Sequence, residues 1–245
     1  MPNFMLTLCY DGSRYKGWQK QGNTENTIQG KLEAALGGIL AQPVEISGSG
    51  RTDAGAHAKM QVATFRAKTD MTPDELLARL RVLLPEDIGA VALTEAPARF
   101  HARLSCVGKT YVYRVWNSEL PNVFERRYMH TVADRLDLSA MQMAAEHFLG
   151  SHDFAAFCSL KNPKHSTVRR IDELRVERLG NEVRFTVSGD GFLYNMVRII
   201  AGTLLSVGRG ELSPDAIPAI LASMDRQNAG PTAPAKGLCL EEVRY

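Results

Sequence analysis

The sequence predicts an α+β protein made of two ferredoxin-like βαββαβ halves. Short runs of alternating apolar residues are typical of half-buried strands, and longer runs carry apolar residues at helical spacing. The two kinds of run follow one another in the order β-α-β-β-α-β, and the second half repeats this order loosely. We expect residues 1–105 and residues 106–245 to form the halves of an extended, mainly antiparallel sheet. Helices would cover one side of it, and a cleft between the halves would hold the functional site.

The N-terminal half begins with the clearest strand pattern, in which Phe4, Leu6, Leu8 and Tyr10 alternate onto one face. The predicted elements are a strand at 4–10, a helix at 27–40, a short strand at 44–46, a strand at 59–66, a helix from 72 and a strand at 88–94. The helix from residue 72 has a strong start signal. Its sequence Thr72-Pro73-Asp74-Glu75 offers an N-cap, a proline at the first helical position and the glutamate of a capping box. Five leucines should form its apolar face: Leu76, Leu77, Leu80, Leu83 and Leu84.

The C-terminal half shows similar signals. The predicted elements are a strand at 107–116, a helix at 138–149, strands at 171–179 and 183–188, a helix at 195–207, a helix from Ser213-Pro214 and a last strand at 238–245. Gly180-Asn181 predicts a tight turn between the strands at 171–179 and 183–188. Gly150 predicts the end of the helix at 138–149.

Composition excludes several classes of protein. The chain has 245 residues, of which 44% are hydrophobic and 23% charged, as in ordinary globular proteins. No apolar run approaches the ~18–20 residues of a membrane span, and the first residues lack the pattern of a signal peptide. We therefore expect a soluble, cytoplasmic protein without a membrane partner. The net charge of +2 identifies no partner.

Metal and redox chemistry have no sequence signal. The cysteines at 9, 106, 158 and 239 form no CxxC pair, and the histidines form no HExxH or H-x₃-H pattern. The sequence therefore predicts reduced, mostly buried thiols and no metal site.

One segment is rich in positive charge. Residues 158–171, here called the basic segment, contain Lys161, Lys164, Arg169 and Arg170 but no acidic residue. Two interpretations remain open: a solvated polar loop, or an arm that contacts the phosphates of a nucleic acid.

The most unusual stretch is residues 48–58, the Gly-rich loop, which reads GSGRTDAGAHA. It matches neither a phosphate-binding P-loop nor a GxGxxG fingerprint. It offers one carboxylate, Asp53, and one guanidinium, Arg51, among glycines that allow sharp turns. From composition alone, Asp53 could simply form an Asx-turn, and Arg51 could be a surface charge or the partner of Asp53.

Residues 50–58 closely resemble the signature of the TruA-type tRNA pseudouridine synthases, and the resemblance extends along nearly the whole chain. The further matching motifs are Tyr10-Asp11-Gly12-Ser13 with Gly17-Trp18-Gln19, Phe100-His101-Ala102-Arg103, Lys109 with Tyr111 and Tyr113, His152-Asp153-Phe154 with Phe157, residues 192–198 with Gly202, Thr232-Ala233-Pro234, and Gly237-Leu238. Two departures are mild: Ala56 stands where valine is common, and Lys16 where an aromatic residue is usual.

The resemblance implies an isomerase that converts uridine to pseudouridine at positions 38, 39 and 40 of the tRNA anticodon stem-loop. It also implies a homodimer that binds tRNA and needs neither a cofactor nor a metal. By the resemblance, Asp53 is the catalytic nucleophile, Tyr111 and Arg198 bind the substrate, with Arg198 pairing with the aspartate, and Arg51 is linked to base flipping. A carboxylate facing C1′ suits this chemistry because breaking the glycosidic bond builds positive charge on the sugar. The sequence leaves open whether Asp53 acts at C1′, at C6 or through a glycal.

Two alternatives belong to other classes. A non-catalytic RNA-binding protein of RRM-like architecture could use Phe4, Tyr10, Tyr111 and Tyr113 for stacking, although no RNP1 pattern is present. A hydrolase of small glycosides could use Asp53, but such enzymes usually need a second carboxylate, and the Gly-rich loop contains no other.

Overall fold

The computed structural model describes residues 1–160 and 165–245, so Lys161 and Lys164 of the basic segment lie outside the described residues. The strands are β1 Asn3–Tyr10, β2 Ile46–Gly48, β3 His57–Arg66, β4 Ile88–Ala96, β5 Gly108–Asn117, β6 His130–Val132, β7 Gly150–Asp153, β8 Val168–Leu179, β9 Glu182–Gly189 and β10 Leu238–Arg244. The helices are α1 Ile28–Leu40, α2 Pro73–Leu83, α3 Leu138–Glu146, α4 Met196–Gly208 and α5 Ile217–Ser223. The predicted α+β class with mainly antiparallel strand pairing is confirmed.

The chain forms two compact units. The first contains Met1–Val107 together with Cys239–Tyr245, and the second contains Gly108–Leu238. The first unit thus includes most of the C-terminal strand, which the sequence analysis grouped with residues 106–245. Within the described residues, no helix is long and apolar enough to cross a membrane.

The sheet of the first unit has the strand order β4-β1-β3-β10, and β2 pairs with the part of β3 that lies beyond the Gly-rich loop. β1 runs antiparallel to both β3 and β4, whereas β10 runs parallel to β3. The alternation predicted for β1 is present, because Phe4, Leu6, Leu8 and Tyr10 are all buried. This pairing places the end of β1 beside the start of β3, where the Gly-rich loop ends.

Both helices of the first unit begin as their capping residues predict. The Thr27 side chain accepts a hydrogen bond from the Gly30 N–H, and Thr72 and Glu75 form the reciprocal bonds of a capping box. Leu76, Leu77 and Leu80 of α2 are buried. The prediction that Leu83 belongs to the apolar face is wrong, because its side chain is 55% exposed at the last position of the helix.

The second unit has the strand order β5-β9-β8-β7, with β6 parallel to β5. The β8–β9 hairpin turns at Gly180-Asn181, where Gly180 has a φ of 62°, so the hairpin prediction is confirmed. Helix α3 ends at Glu146, before the predicted position 149. The chain there turns into β7, which pairs with β8, and Gly150 has a φ of 90°. The sequence missed β6 and β7 because their residues, HTV and GSHD, show no apolar alternation.

Helix α4 is buried along almost its whole length, and Arg198 on its first turn is half-buried. The predicted start at Ser213-Pro214 produces a short 3₁₀ turn, Pro214–Ala216, before α5 begins. Ser213 caps this turn through the Asp215 N–H. The position that carries the capping-box glutamate in α2 is Ala216 here, so the reciprocal bond is missing.

Candidate active site

The Gly-rich loop connects β2 to β3 and turns sharply after Asp53. The Ala56 N–H donates to the Asp53 carbonyl at 3.1 Å, and Gly55 has a φ of 81° between them. Gly55 therefore occupies the left-handed region that glycine tolerates best. Asp53 is half-buried, and Arg51 is exposed. A backbone turn thus follows Asp53, and the loop presents a carboxylate and a guanidinium two residues apart in the chain.

The segment that follows β1 packs closely against this loop. The Trp18 N–H donates to the Thr52 carbonyl at 3.0 Å. A Cβ atom on Gly17 would lie 2.7 Å from that carbonyl oxygen, and one on Gly12 would lie 1.8 Å from the carbonyl oxygen of Ala56. Both glycines are therefore required by close backbone approach. The N-terminal motif that contains Gly12, Gly17 and Trp18 thus packs against one side of the Gly-rich loop.

Buried polar side chains hold the loop from the other side. The Ser49 hydroxyl donates to Gln61 Oε1 at 2.6 Å, and Gln61 Nε2 donates to the Gly50 carbonyl at 3.1 Å. The hydroxyl oxygens of Tyr10 and Thr52 are 2.8 Å apart. Sequence reasoning assigned no role in the site to Ser49, Thr52 or Gln61. Gln61 was only one polar residue in an otherwise apolar strand pattern, and Ser49 and Thr52 were two polar residues of the Gly-rich loop. Their roles depend on tertiary contacts.

His57 closes the loop at the start of β3. Its buried ring accepts a hydrogen bond at Nδ1 from the Gly12 N–H at 3.1 Å, and the same nitrogen lies 3.2 Å from Asp11 Oδ1. A backbone N–H can only donate, so Nδ1 carries a lone pair. The contact with Asp11 is an ion pair only when the ring is protonated. Within residues 1–160 and 165–245, no group of three His, Cys, Asp or Glu side chains is arranged to hold a metal.

Arg51 extends along the surface of the first unit. Its Nε donates to Gln19 Oε1 at 2.8 Å, so the exposed guanidinium is oriented by the N-terminal motif. This contact orients an exposed cation two residues before Asp53 in the chain. An exposed planar cation can both stack on a base and bond a phosphate.

Tyr111 and Arg198 belong to the second unit. Tyr111 lies on β5 and is only 7% exposed, and its ring packs edge-to-face on Phe192 with centroids 5.2 Å apart. Arg198 Nε donates to the Ala233 carbonyl at 2.7 Å, and its Nη1 donates to Asn195 Oδ1 at 2.9 Å. Asn195 itself has a φ of 63° at the N-terminus of α4. Both candidate side chains are thus fixed in orientation by the motif at residues 192–198.

The basic segment is described only in part. Arg169 Nη1 donates to the carbonyl oxygens of Ser166 and Val168. Arg170 forms an ion pair with Asp172 at 2.7 Å, just beyond the segment in which the sequence shows no acid. Both arginines lie in β8, directly after its first residue, so they belong to a strand.

Comparison with known proteins agrees with the motifs. A family model for tRNA pseudouridine synthase matches residues 8–104 and 144–245. The chain is 44% identical over its full length to a tRNA pseudouridine synthase A 2 of Bacillus cereus, and 45% identical to one of Clostridium perfringens. In both cases the match covers 100% of each chain. A chain of a solved Cbf5-Nop10-Gar1 complex aligns with 82% of this chain and over 45% of its own length, with a TM-score of 0.36 and 15% sequence identity. This similarity is too low to support an assignment of fold or function.

The ordered motifs, the full-length similarity and the glycine contacts of the Gly-rich loop agree on one assignment. The family match covers most of both compact units, and it includes Arg51, Asp53 and Arg198. The chain belongs to the tRNA pseudouridine synthase family.

Proposed function

We propose that this isomerase converts uridine to pseudouridine at positions 38, 39 and 40 in the anticodon stem-loop of tRNA. Membership of the family establishes the coarser activity, which is pseudouridine synthesis in tRNA. It also decides against the two alternatives left open by the sequence, a non-catalytic RNA-binding protein and a hydrolase of small glycosides. The position of the target uridines within the tRNA is our proposal and follows the family resemblance.

The observation that carries the proposal is the Asp53 carboxylate, held half-buried on a turn whose backbone is bonded or tightly packed on both sides. The reaction breaks the bond from C1′ to N1 and forms a bond from C1′ to C5. C5 loses its proton and N1 gains one, so atoms and electrons balance without an oxidant or a cofactor. We propose that Asp53 is the nucleophile that meets the positive charge on the sugar as the first bond breaks.

Tyr111 and Arg198 are proposed to contact the substrate. The Tyr111 ring is held by Phe192, so a base stacking on it would meet an aromatic surface that is already oriented. Its hydroxyl is a group suited to proton transfer. Arg198 is oriented by hydrogen bonds to the Ala233 carbonyl and to Asn195 Oδ1, and its planar guanidinium is suited to bind an anionic or carbonyl group.

Arg51 and the basic segment are proposed to contact the RNA outside the reaction itself. A uridine paired in a stem must leave the helix before a carboxylate can reach its sugar, and this costs a few kcal/mol. An exposed guanidinium two residues from Asp53 is suited to fill the gap that the base leaves. Arg169, Arg170, Lys161 and Lys164 would supply phosphate contacts.

The family resemblance also supports a homodimer in which one tRNA spans both subunits, and a cytoplasmic site of action. Sedimentation of the protein with and without tRNA tests the dimer directly. We expect two chains per particle, and a single chain at concentrations where the enzyme is active would contradict the proposal.

The experiment that tests the proposed function is nucleotide-resolution mapping of pseudouridine in tRNA incubated with the protein. We expect modification at positions 38, 39 and 40 with the wild-type chain and none with Asp53→Asn. The variant should bind tRNA nearly as well as the wild type, since phosphate contacts are spread over many cations. Modification at other positions would overturn the site assignment, and turnover by Asp53→Asn would overturn the role of the carboxylate.

A further inference from the structure

Tyr10 lies beneath the Gly-rich loop and plays no part in the reaction described above. It is the last residue of β1, is 5% exposed, and its hydroxyl contacts the Thr52 hydroxyl at 2.8 Å. Thr52 is the residue between Arg51 and Asp53 and is itself buried. This hydrogen bond therefore joins a buried residue of the sheet to the centre of the proposed catalytic segment.

The surroundings of Tyr10 fix this hydrogen bond in place. Gln61 is fully buried, and its Oε1 accepts from the Ser49 hydroxyl and from the Val62 N–H, while its Nε2 donates to the Gly50 carbonyl. Because the Val62 N–H can only donate and the Gly50 carbonyl can only accept, the amide has a single permitted orientation. The same amide lies near enough to the Tyr10 hydroxyl to lower the pKa of the phenol.

The Tyr10 hydroxyl stays protonated under working conditions. Burial raises the pKa of the phenol far above its ordinary value, and the hydrogen bonds with Thr52 and Gln61 oppose this rise only in part. The group therefore acts as a neutral hydrogen-bonding group throughout the range in which the enzyme is studied. This makes it suited to hold a neighbour in position and unsuited to act as a base.

We infer that Tyr10 is a positioning residue for the reaction, acting through Thr52 to hold Arg51 and Asp53 in the geometry that catalysis needs. The inference rests on the proposed role of Asp53. Thr52 is bonded at its carbonyl by the Trp18 N–H and at its hydroxyl by Tyr10, so the residue is held at both ends. Loss of the Tyr10 bond frees the side-chain end and lets the carboxylate next to it shift. A displacement of about 1 Å at a reacting group costs on the order of 100-fold in rate.

The test breaks this one hydrogen bond from either side. Tyr10→Phe and Thr52→Val each remove one hydroxyl with little change of volume, and the double variant removes both. Thr52→Ser retains the hydroxyl and serves as the conservative rescue. Asp53→Asn is measured in the same assay, so that the basis of the inference is tested together with it.

A second Tyr–Thr pair in the same unit provides a matched control. The Tyr245 hydroxyl donates to the Ala102 carbonyl at 2.8 Å, and the Thr64 hydroxyl accepts from the Ala102 N–H at 3.2 Å. Tyr245→Phe and Thr64→Val repeat the same chemical changes, and Thr64 lies on β3, the strand that carries Gln61. Each control variant loses one hydrogen bond to the backbone away from the Gly-rich loop, so it reports the cost of such a loss where Asp53 is not affected.

We expect Tyr10→Phe and Thr52→Val to lower kcat by about 10- to 100-fold, with KM and tRNA affinity within about threefold of wild type. The double variant should be no slower than the slower single variant, since both break one interaction. Thr52→Ser should recover most of the rate, and the control variants should keep kcat near wild type.

Three results would overturn the inference. Wild-type kcat in Tyr10→Phe, with Asp53→Asn inactive, removes the positioning role and leaves the proposed function intact. Multiplicative losses in the double variant show that the two hydroxyls act independently. Turnover by Asp53→Asn overturns both the proposed role of Asp53 and the inference that rests on it.

Discussion

The Gly-rich loop and the basic segment both carry arginines that the sequence singled out, but the structure holds them in different ways. The loop is fixed by buried hydrogen bonds from Tyr10 and Gln61 and by close backbone contacts at two glycines. Arg169 and Arg170 of the basic segment instead bond to carbonyl oxygens of their own stretch or to the adjacent Asp172.

The two regions contribute to the reaction in different ways. Chemistry at C1′ depends on the position of one carboxylate, so the surrounding polypeptide must be rigid. Attraction to phosphates depends on the number of cations and much less on their geometry, so solvated side chains suffice. Changes in the loop should therefore act on kcat, and changes in the basic segment should act on affinity and its salt dependence.

The largest effect should follow from filling the closest contact in the loop. Gly12→Ala puts a methyl group where the Ala56 carbonyl oxygen lies 1.8 Å away, so the loop must move. We expect a loss of about 2–4 kcal/mol in the free energy of unfolding and a fall in kcat of more than about 100-fold. Denaturant titration and single-turnover kinetics measure the two.

Gly22→Ala is the matched control for this change, because Gly22 is exposed and nothing lies within 4 Å of the added Cβ. Its stability and turnover should stay near wild type. If Gly12→Ala behaves like the control, the loop is not held by close packing, and the comparison between the two regions fails.

The next effect concerns Arg51, the exposed arginine of the rigid loop. Arg51→Ala should reduce turnover by about 10- to 100-fold on a uridine paired in a stem and much less on the same uridine in an open mismatch. Extrusion of a paired base costs a few kcal/mol, and a mismatched base needs much less because its pairing is already broken. Equal impairment on both substrates would assign Arg51 to the electrostatics of Asp53 and remove the flipping role.

A smaller effect is expected from the basic segment. Replacement of Lys161, Lys164, Arg169 and Arg170 together by Ala should lower the salt slope of tRNA binding by roughly 0.7–0.9 for each phosphate that the protein no longer neutralises. Turnover at saturating tRNA should stay near wild type, because these cations do not position Asp53. Binding measured over a series of salt concentrations tests this, and an unchanged slope would mean that the segment is only a solvated connector.

The smallest effect tests whether Arg170 is available to RNA. Its ion pair with Asp172 is exposed and contributes only about 0–1 kcal/mol to stability. Asp172→Asn removes the competing carboxylate, so tRNA affinity should rise by about two- to fivefold at low salt and converge with wild type at high salt. A loss of affinity would show that Asp172 orients Arg170 for its contact.

Sequence reasoning predicted most of the strands and helices, and its failures have physical causes. Motif resemblance identified Asp53 and Arg51, but it gave no reason for Gly12 and Gly17, whose role depends on carbonyl oxygens about forty residues away in the chain. Gln61 looked like one polar residue in an apolar strand. Its importance depends on Ser49 and Gly50, which reach it only when β3 packs beside the Gly-rich loop.

Features that depend on local interactions could be predicted from the sequence alone. Thr27 and Thr72 begin helices because their side chains bond to N–H groups three residues ahead, and Gly180 turns a hairpin because glycine tolerates a positive φ. The tertiary structure decided that β10 joins β3 by parallel pairing and that Tyr10 supports Thr52. Those contacts join residues far apart in the chain, and they depend on how whole strands align. No periodicity within a short window carries that information.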